Sequence, residues 1–377
     1  MMISTSTIKQ DVVTDLVIVD GSTSVTGGLR AAVRIATLLS PQIRTHLVIP
    51  RGGAIPRAEL KFFTSVTTIP GAAARKSARA LATYFPASIA GSIMVRRLLR
   101  RTKAQTVLLN DFPQIYGWLI RKLGFEGVIL TFVRFAPDRF PAGLAKLWLT
   151  AALRSSDRVI AVSKFIQRQL PAAVQSHLLY DCIDPTLTPG ASAPRHQRIV
   201  CIANYISGKG QDDTLEAFAK IAARFPEATL AFHGGDMGLA KNAAYRSDLM
   251  ARRDRVGLTQ RIEFNPFAEY VSEPLALARV AINLSRSESF SFTCLEAAQL
   301  GVPVIAYRSG GPEEIIVDGS TGFLCPIGDV DLVADRIAQL LEDPELAARM
   351  GRAARAIVLQ RFGPDNFVAG LRSMLAG

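Results

Sequence analysis

Short apolar, β-branched runs alternate with helical patterns along the chain, and after a break the same alternation starts again. Leu16–Val19, His46–Ile49, Val66–Ile69, Thr106–Leu109, Val128–Thr131 and Val159–Val162 read as strands. Between them Leu29–Ser40, Ile115–Leu123 and Leu144–Leu153 have the apolar spacing of helices. Such alternation calls for a parallel sheet, since each return to a parallel neighbour needs a crossover. Residues 185–198 hold three prolines and almost no periodicity, which marks a linker. Beyond it Ile199–Ala203, Ala228–Phe232, Arg261–Phe264, Val280–Leu284 and Val302–Ala306 are strand-like again, with a helical Thr214–Arg224. The expected fold is α/β, two Rossmann-like doubly wound domains facing one another across a cleft. The expected boundaries are 1–184, a linker at 185–198, 199–362, and a C-terminal helix in 363–377 that packs back on the first domain. A chain of 377 residues can give each domain its own core. Neither first strand leads into G-x-G-x-x-G, so a dinucleotide site loses its main support.

One segment carries most of the chemistry. Ser285-Arg-Ser-Glu288-Ser-Phe-Ser-Phe-Thr-Cys-Leu-Glu296 sets one carboxylate in a Ser/Phe loop and a second inside the helix that follows, from about Phe292 to Leu300. Gly301 stops the helix and Pro303 opens a buried strand. The N–H groups of Ser289, Phe290 and Ser291 lead into a helix N-terminus, which favours a phosphate. The carboxylates would repel that phosphate and suit the hydroxyl-rich ends of a sugar nucleotide.

These residues resemble the E-x7-E signature of the family-four retaining glycosyltransferases, which have the GT-B fold. The resemblance runs on through Gly310-Gly311-Pro-Glu-Glu314 and Asp318-Gly319-Ser-Thr-Gly322, similar to the family's G-G-x-x-E and D-G-x-x-G. It implies a nucleotide-diphosphate sugar as donor and no cofactor or metal. Glu288 would hold the sugar hydroxyls and Glu296 the ribose. Asn204-Tyr-Ile-Ser-Gly-Lys209-Gly210 is similar to the family's G-R-x-x-x-x-K-G, so Lys209 would neutralise the pyrophosphate, while Asn204 stands at the arginine position. Gly27 and Gly28 match a Gly-rich loop after the first strand. Asp111 stands where many relatives have a histidine near the reacting sugar, and the loop at Arg134 also lacks the family's histidine. Asp111 is therefore a candidate for holding a hydroxyl, or an ordinary loop cap. Asp329-Val-Asp331 has the form of a Mg²⁺ motif but precedes a helix, where a capping carboxylate explains it better.

Charge is unevenly spread. Residues 1–184 hold 24 Lys+Arg against 10 Asp+Glu, whereas residues 185–377 are close to neutral. The basic half suits an anionic partner. Within it Arg75, Lys76, Arg79, Arg96, Arg97, Arg100 and Arg101 lie among apolar residues, as in a helix resting on anionic lipid or one packed on a core with a charged outer face. No nucleic-acid motif is present. The four cysteines are scattered without C-x-x-C pairs, and no apolar run reaches membrane-span length. With no signal-peptide pattern, the expectation is a cytoplasmic enzyme, peripheral on the inner face of the membrane. It would move sugar to a saccharide or lipid-linked acceptor in surface polysaccharide or glycolipid assembly. A sugar-nucleotide 2-epimerase on the same fold and a non-catalytic sugar-binding protein are the alternatives.

Overall fold

The structure is a computed structural model; it describes residues 15–71, 78–113, 115–139, 142–188, 197–268 and 271–375. In its first half β1 (Asp15–Val19), α1 (Gly27–Leu39), β2 (Arg44–Pro50), α2 (Arg57–Leu60), β3 (Ser65–Ile69), α3 (Ala78–Thr102) and β4 (Thr106–Leu109) follow one another. Then come α4 (Tyr116–Lys122), β5 (Val128–Val133), α5 (Ala142–Ser155), β6 (Arg158–Ala161), α6 (Lys164–Gln167) and β7 (Ser176–Leu178). The second half opens with β8 (Arg198–Ile202), α7 (Gln211–Ile221), β9 (Thr229–His233), α8 (Ala240–Arg255), β10 (Ile262–Asn265) and α9 (Ser272–Ala276). It continues through β11 (Val280–Asn283), α10 (Phe292–Gln299), β12 (Val304–Tyr307), α11 (Pro312–Ile315) and β13 (Gly322–Cys325). Helices α12 (Val330–Glu342), α13 (Pro344–Arg361) and α14 (Pro364–Leu375) complete the chain.

Two parallel sheets result. Seven strands take the order β3-β2-β1-β4-β5-β6-β7, and six take the order β10-β9-β8-β11-β12-β13. Central strands covered on both faces must be apolar throughout, and Leu16, Val17, Ile18 and Val19 are fully buried. The strand-like runs of the sequence all become strands, shifted by a residue or two at their ends. Two strands escape the periodicity: β7 is three half-buried residues, and β13 opens on the last glycine of the D-G-x-x-G run.

The described chain forms two compact units. One gathers the residues up to Val162, Ile166–Leu179 and those from Asp365 on; the other holds Ser163–Phe165 and Tyr180–Pro364. Residues 180–184, which the strand pattern places with the first half, belong to the second unit. There the Tyr180 hydroxyl donates to Glu314 at 2.7 Å, and Ile183 N donates to Phe362 O at 2.9 Å. Helix α14 belongs to the first unit, where Arg158 Nη1 donates to Met374 O and Gly370 faces Leu179. Of the linker, residues 189–196 lie outside the described residues.

Candidate functional site

Each sheet reverses its strand order once, between β1 and β4 and between β8 and β11. Loops flanking such a reversal leave in opposite directions and open a crevice at the carboxyl ends of the strands. The expected phosphate and sugar residues follow β8, β11 and β12; Gly27, Gly28, Asp111 and Arg134 follow β1, β4 and β5.

In the second unit the loop after β11 is locked to the loop after β12. Glu288 N donates to Ser309 O at 2.9 Å, and Gly311 N donates to Glu288 O at 2.8 Å. A Cβ on Gly311 would lie 2.4 Å from the Phe290 backbone. One on Gly310, whose φ is +108°, would lie 2.5 Å from the Phe165 ring. The Gly-Gly pair is therefore a steric condition for this approach. It fixes Glu288, whose Oε1 accepts from Lys209 Nζ at 2.6 Å, with the two side chains 15% and 28% exposed. Lys209 rides on a tight turn: its N–H donates to Ile206 O at 3.0 Å, and Gly208 and Gly210 flank it at φ 92° and 76°. Sequence patterns give these two residues separate ligands; the fold places them within one hydrogen bond.

Ser291, at φ 82°, is the N-cap of α10 and accepts from Cys294 N at 3.4 Å. Asn283 donates to the same hydroxyl at 2.8 Å. Glu296 sits inside α10 at 3% exposure. For Phe290 the expectation concerns its N–H group alone. Its side chain is buried against Tyr180 and Phe362, so only its backbone can face a donor. Asn204 spends its side-chain oxygen on Gly235 N at 3.1 Å, which joins two loops and supplies no cation. A cation that no motif announces lies beside this loop. Arg286 N donates to Gly208 O at 3.0 Å, and the guanidinium reaches Asp213 at 3.0 Å. Asp213 also accepts the Tyr307 hydroxyl at 2.8 Å. Glu314 has a structural task, accepting the N–H groups of Lys164 and Phe165 as well as the Tyr180 hydroxyl. Burial and that carboxylate hold the Tyr180 phenol well above its ordinary range.

Asp329 caps α12, accepting from Leu332 N at 3.0 Å, while Asp331 pairs with Lys220 at 2.8 Å. Among the described residues no group of three or more His, Cys, Asp or Glu is arranged to hold a metal.

In the first unit Asp20, buried at the end of β1, accepts from Ser22 N at 2.7 Å and from Asn110 Nδ2 at 2.5 Å. The same Nδ2 donates to Gly28 O at 2.8 Å, and Arg134 Nε donates to Asn110 Oδ1 at 2.9 Å. Thr26 caps α1, which Gly27 opens. Asp20 and Asn110, absent from the motifs, thus tie the glycine loop to the loops after β4 and β5. Asp111 accepts the N–H groups of Phe112, Arg134 and Phe135 at 2.8, 3.1 and 3.4 Å, all on Oδ1. Burial outweighs these amides and pushes its carboxyl up to about 7.

The basic helix splits in two. Arg96 is occupied: it donates to Leu123 O and Gly124 O at 3.3 and 2.9 Å and lies over the Phe125 ring, tying α3 to the end of α4. Arg97, Arg100 and Arg101 are exposed. Arg75 and Lys76 lie outside the described residues, as does the side chain of Arg79.

Two doubly wound parallel sheets, each with a polar cluster at its switch point, define the GT-B class of fold. Solved structures agree. HepE of Anabaena in complex with UDP-glucose matches at TM-score 0.82 and 19% identity over 96% of this chain and 99% of that one. Sucrose-phosphate synthase of Thermosynechococcus elongatus matches at TM-score 0.79 and 19% identity over 96% and 98%. Residues 190–357 match the model of the glycosyl transferases group 1 family. N-acetyl-alpha-D-glucosaminyl L-malate synthase of Bacillus anthracis is 34% identical over 45% of this chain and 43% of its own length. A GDP-mannose-dependent alpha-(1-6)-phosphatidylinositol monomannoside mannosyltransferase of Mycolicibacterium smegmatis is 28% identical over 74% and 72%. A Mycobacterium tuberculosis mannosyltransferase of the same description is spanned over only 47% of its length.

Proposed function

We propose that the protein is a retaining glycosyltransferase that moves a sugar from a nucleotide-diphosphate sugar to a saccharide or lipid-linked acceptor. The observation that carries the reading is the Lys209–Glu288 pair beside the start of α10. It sets a cation for phosphate and a carboxylate for sugar hydroxyls next to backbone N–H groups. In this reading Lys209 and the amides of Ser289–Ser291 hold the pyrophosphate, Glu296 the ribose and Glu288 the sugar. The acceptor oxygen attacks the anomeric carbon as its bond to the phosphate oxygen breaks, and the departing phosphate takes the acceptor proton. Asp111 would hold the acceptor or sugar hydroxyl, and no metal would be needed. The nucleotide sugars in two of the matched names, UDP-glucose and GDP-mannose, support the donor class. The second of these also supports a lipid acceptor, and in this reading the enzyme works at the inner face of a membrane. Among the described residues no helix is long and apolar enough to cross one. Calorimetry with UDP, GDP and their sugars tests the reading: it stands if one diphosphate binds and its sugar is transferred, and falls if none binds.

A further inference from the structure

The described first half of helix α3 is folded inside out, whereas Val95, Leu98 and Leu99 of its second half join the core. Its inward side carries Tyr84, Ser88, Gly91 and Ser92, with Ser88 and Ser92 only 3% and 1% exposed. Gly91 lies against Tyr116 and Ile69, where a Cβ would meet the Tyr116 ring at 2.9 Å. The outward side carries Phe85, Ile89 and Ile93, exposed by 49%, 50% and 37%. A helix that answered only to water would put the serines out and the isoleucines in. Continuing along the same face, exposed Arg97, Arg100 and Arg101 replace the apolar residues. Each step of four residues advances only about 40° around the helix, so two turns of apolar surface run on into a turn and a half of cationic surface along a stripe that winds slowly on the outward side. The 51 residues between Glu59 and Asp111 contain neither Asp nor Glu. Arg96, the one arginine of this run committed inward, clamps the helix to α4 and so fixes which face looks out.

We propose that this outward face of α3 docks on an anionic lipid surface, with Phe85, Ile89 and Ile93 entering the acyl boundary and Arg97, Arg100 and Arg101 meeting the headgroups. The charge run selects the occupant. A protein groove would need carboxylates in matching register, whereas an anionic bilayer offers apolar depth and negative charge together, at any rotation. Such docking would bring the chain to a lipid-held acceptor, and to that extent it rests on the proposed function. The apolar part sets it apart from electrostatic attraction alone, because salt screens the arginines and leaves the isoleucines unaffected.

The test is sedimentation of the full chain with phosphatidylcholine vesicles, with and without phosphatidylglycerol, at low and high salt. Wild type should bind the anionic vesicles, and part of the binding should survive high salt. Ile89→Ser/Ile93→Ser should lose the salt-resistant part. Arg97→Gln/Arg100→Gln/Arg101→Gln should lose the preference for anionic lipid, roughly fivefold per arginine and about a hundredfold together. Should the serine pair fail to fold, Ile89→Cys replaces it. The four native cysteines are buried, so a polarity-sensitive dye reports from position 89 alone and must shift to the blue on vesicles. Equal binding by all variants, an unmoved dye, or a dimer that the serine variant disperses without any vesicle binding would each overturn the proposal. Nucleoside-diphosphate affinity, measured in parallel, should be the same in every variant. Its absence from wild type would overturn the donor reading and leave the lipid surface standing.

Discussion

Glu288→Ala should tighten the binding of a bare nucleoside diphosphate while abolishing transfer. In the free protein Lys209 Nζ is held by Glu288 Oε1 at 2.6 Å. A diphosphate must therefore share this lysine or take it from the carboxylate. The pair is partly shielded, at 28% and 15% exposure, so its worth lies near the upper end for surface pairs, about 1 kcal/mol. Removing the carboxylate releases that amount and also removes a negative charge from the phosphate's neighbourhood. The expected gain is about fivefold in affinity for the bare diphosphate. For the nucleotide sugar the gain should vanish, because the hydroxyl contacts of Glu288 go with it. Lys209→Ala gives the opposite result, a loss of about 1.5–3 kcal/mol for a charge-assisted contact, or roughly ten- to a hundredfold. It should leave binding of the corresponding nucleoside unchanged. Calorimetry with nucleoside, diphosphate and nucleotide sugar on both variants and on the double variant separates these terms. A Glu288→Ala protein that binds the bare diphosphate as weakly as Lys209→Ala would refute the competition, and with it the placing of phosphate at Lys209.

Asp111→Asn keeps an oxygen for the three amides that meet at Oδ1 and removes the titration. A carboxyl raised in the fold from 3.8 to about 7 binds its proton more tightly folded than unfolded. Wild-type stability attributable to this group is therefore present below about pH 4 and lost as pH rises to about 7; melting curves of the two proteins should diverge over that window. Gly311→Ala drives a Cβ into the Phe290 backbone at 2.4 Å, and backbone cannot swing aside. It should cost about 1–3 kcal/mol in chemical denaturation and reduce donor affinity through the displaced Glu288 loop. Because Asp329 caps α12 and Asp331 pairs with Lys220, transfer should persist in EDTA, and Asp331→Ala should transfer normally.

The sheets were legible because a parallel strand covered on both faces is drawn to apolar residues, and eleven of the thirteen strands show an apolar or β-branched run; the three-residue β7 and the glycine-opened β13 lacked the signal. The candidate donor residues were legible as positions along the chain but not as a geometry. Nothing in E-x7-E says that the first carboxylate is held by the lysine seventy-nine residues earlier. That contact joins the loop after β8, which carries Lys209, to the loop after β11, which Gly310 and Gly311 let close on the loop after β12. Phe290 illustrates the converse. It stands in the middle of the motif, but a phenylalanine beside a core is drawn inward whatever its neighbours do, and only its N–H is left at the site.

The polar cluster of the first unit was illegible for a different reason. Asp20, Asn110 and Arg134 lie 90 and 24 residues apart in sequence and meet only because β1, β4 and β5 are sheet neighbours. A strand pattern predicts that such neighbours exist without saying which strands they are. The same limit applied to α3, whose composition fitted either a lipid-facing helix or a core-facing one with a charged rim. Composition cannot decide between them, because both need isoleucines and arginines. The decision lies in which isoleucines turn outward, and that is fixed by two contacts far away in the chain: Gly91 against Tyr116, and Arg96 against the carbonyls of Leu123 and Gly124. Breaking the second contact alone, with Arg96→Gln, should loosen the helix without removing a charge from its outward face. It should therefore lower the melting temperature and leave the anionic preference in vesicle binding intact. Loss of that preference in Arg96→Gln would mean that this arginine meets lipid instead of the end of α4.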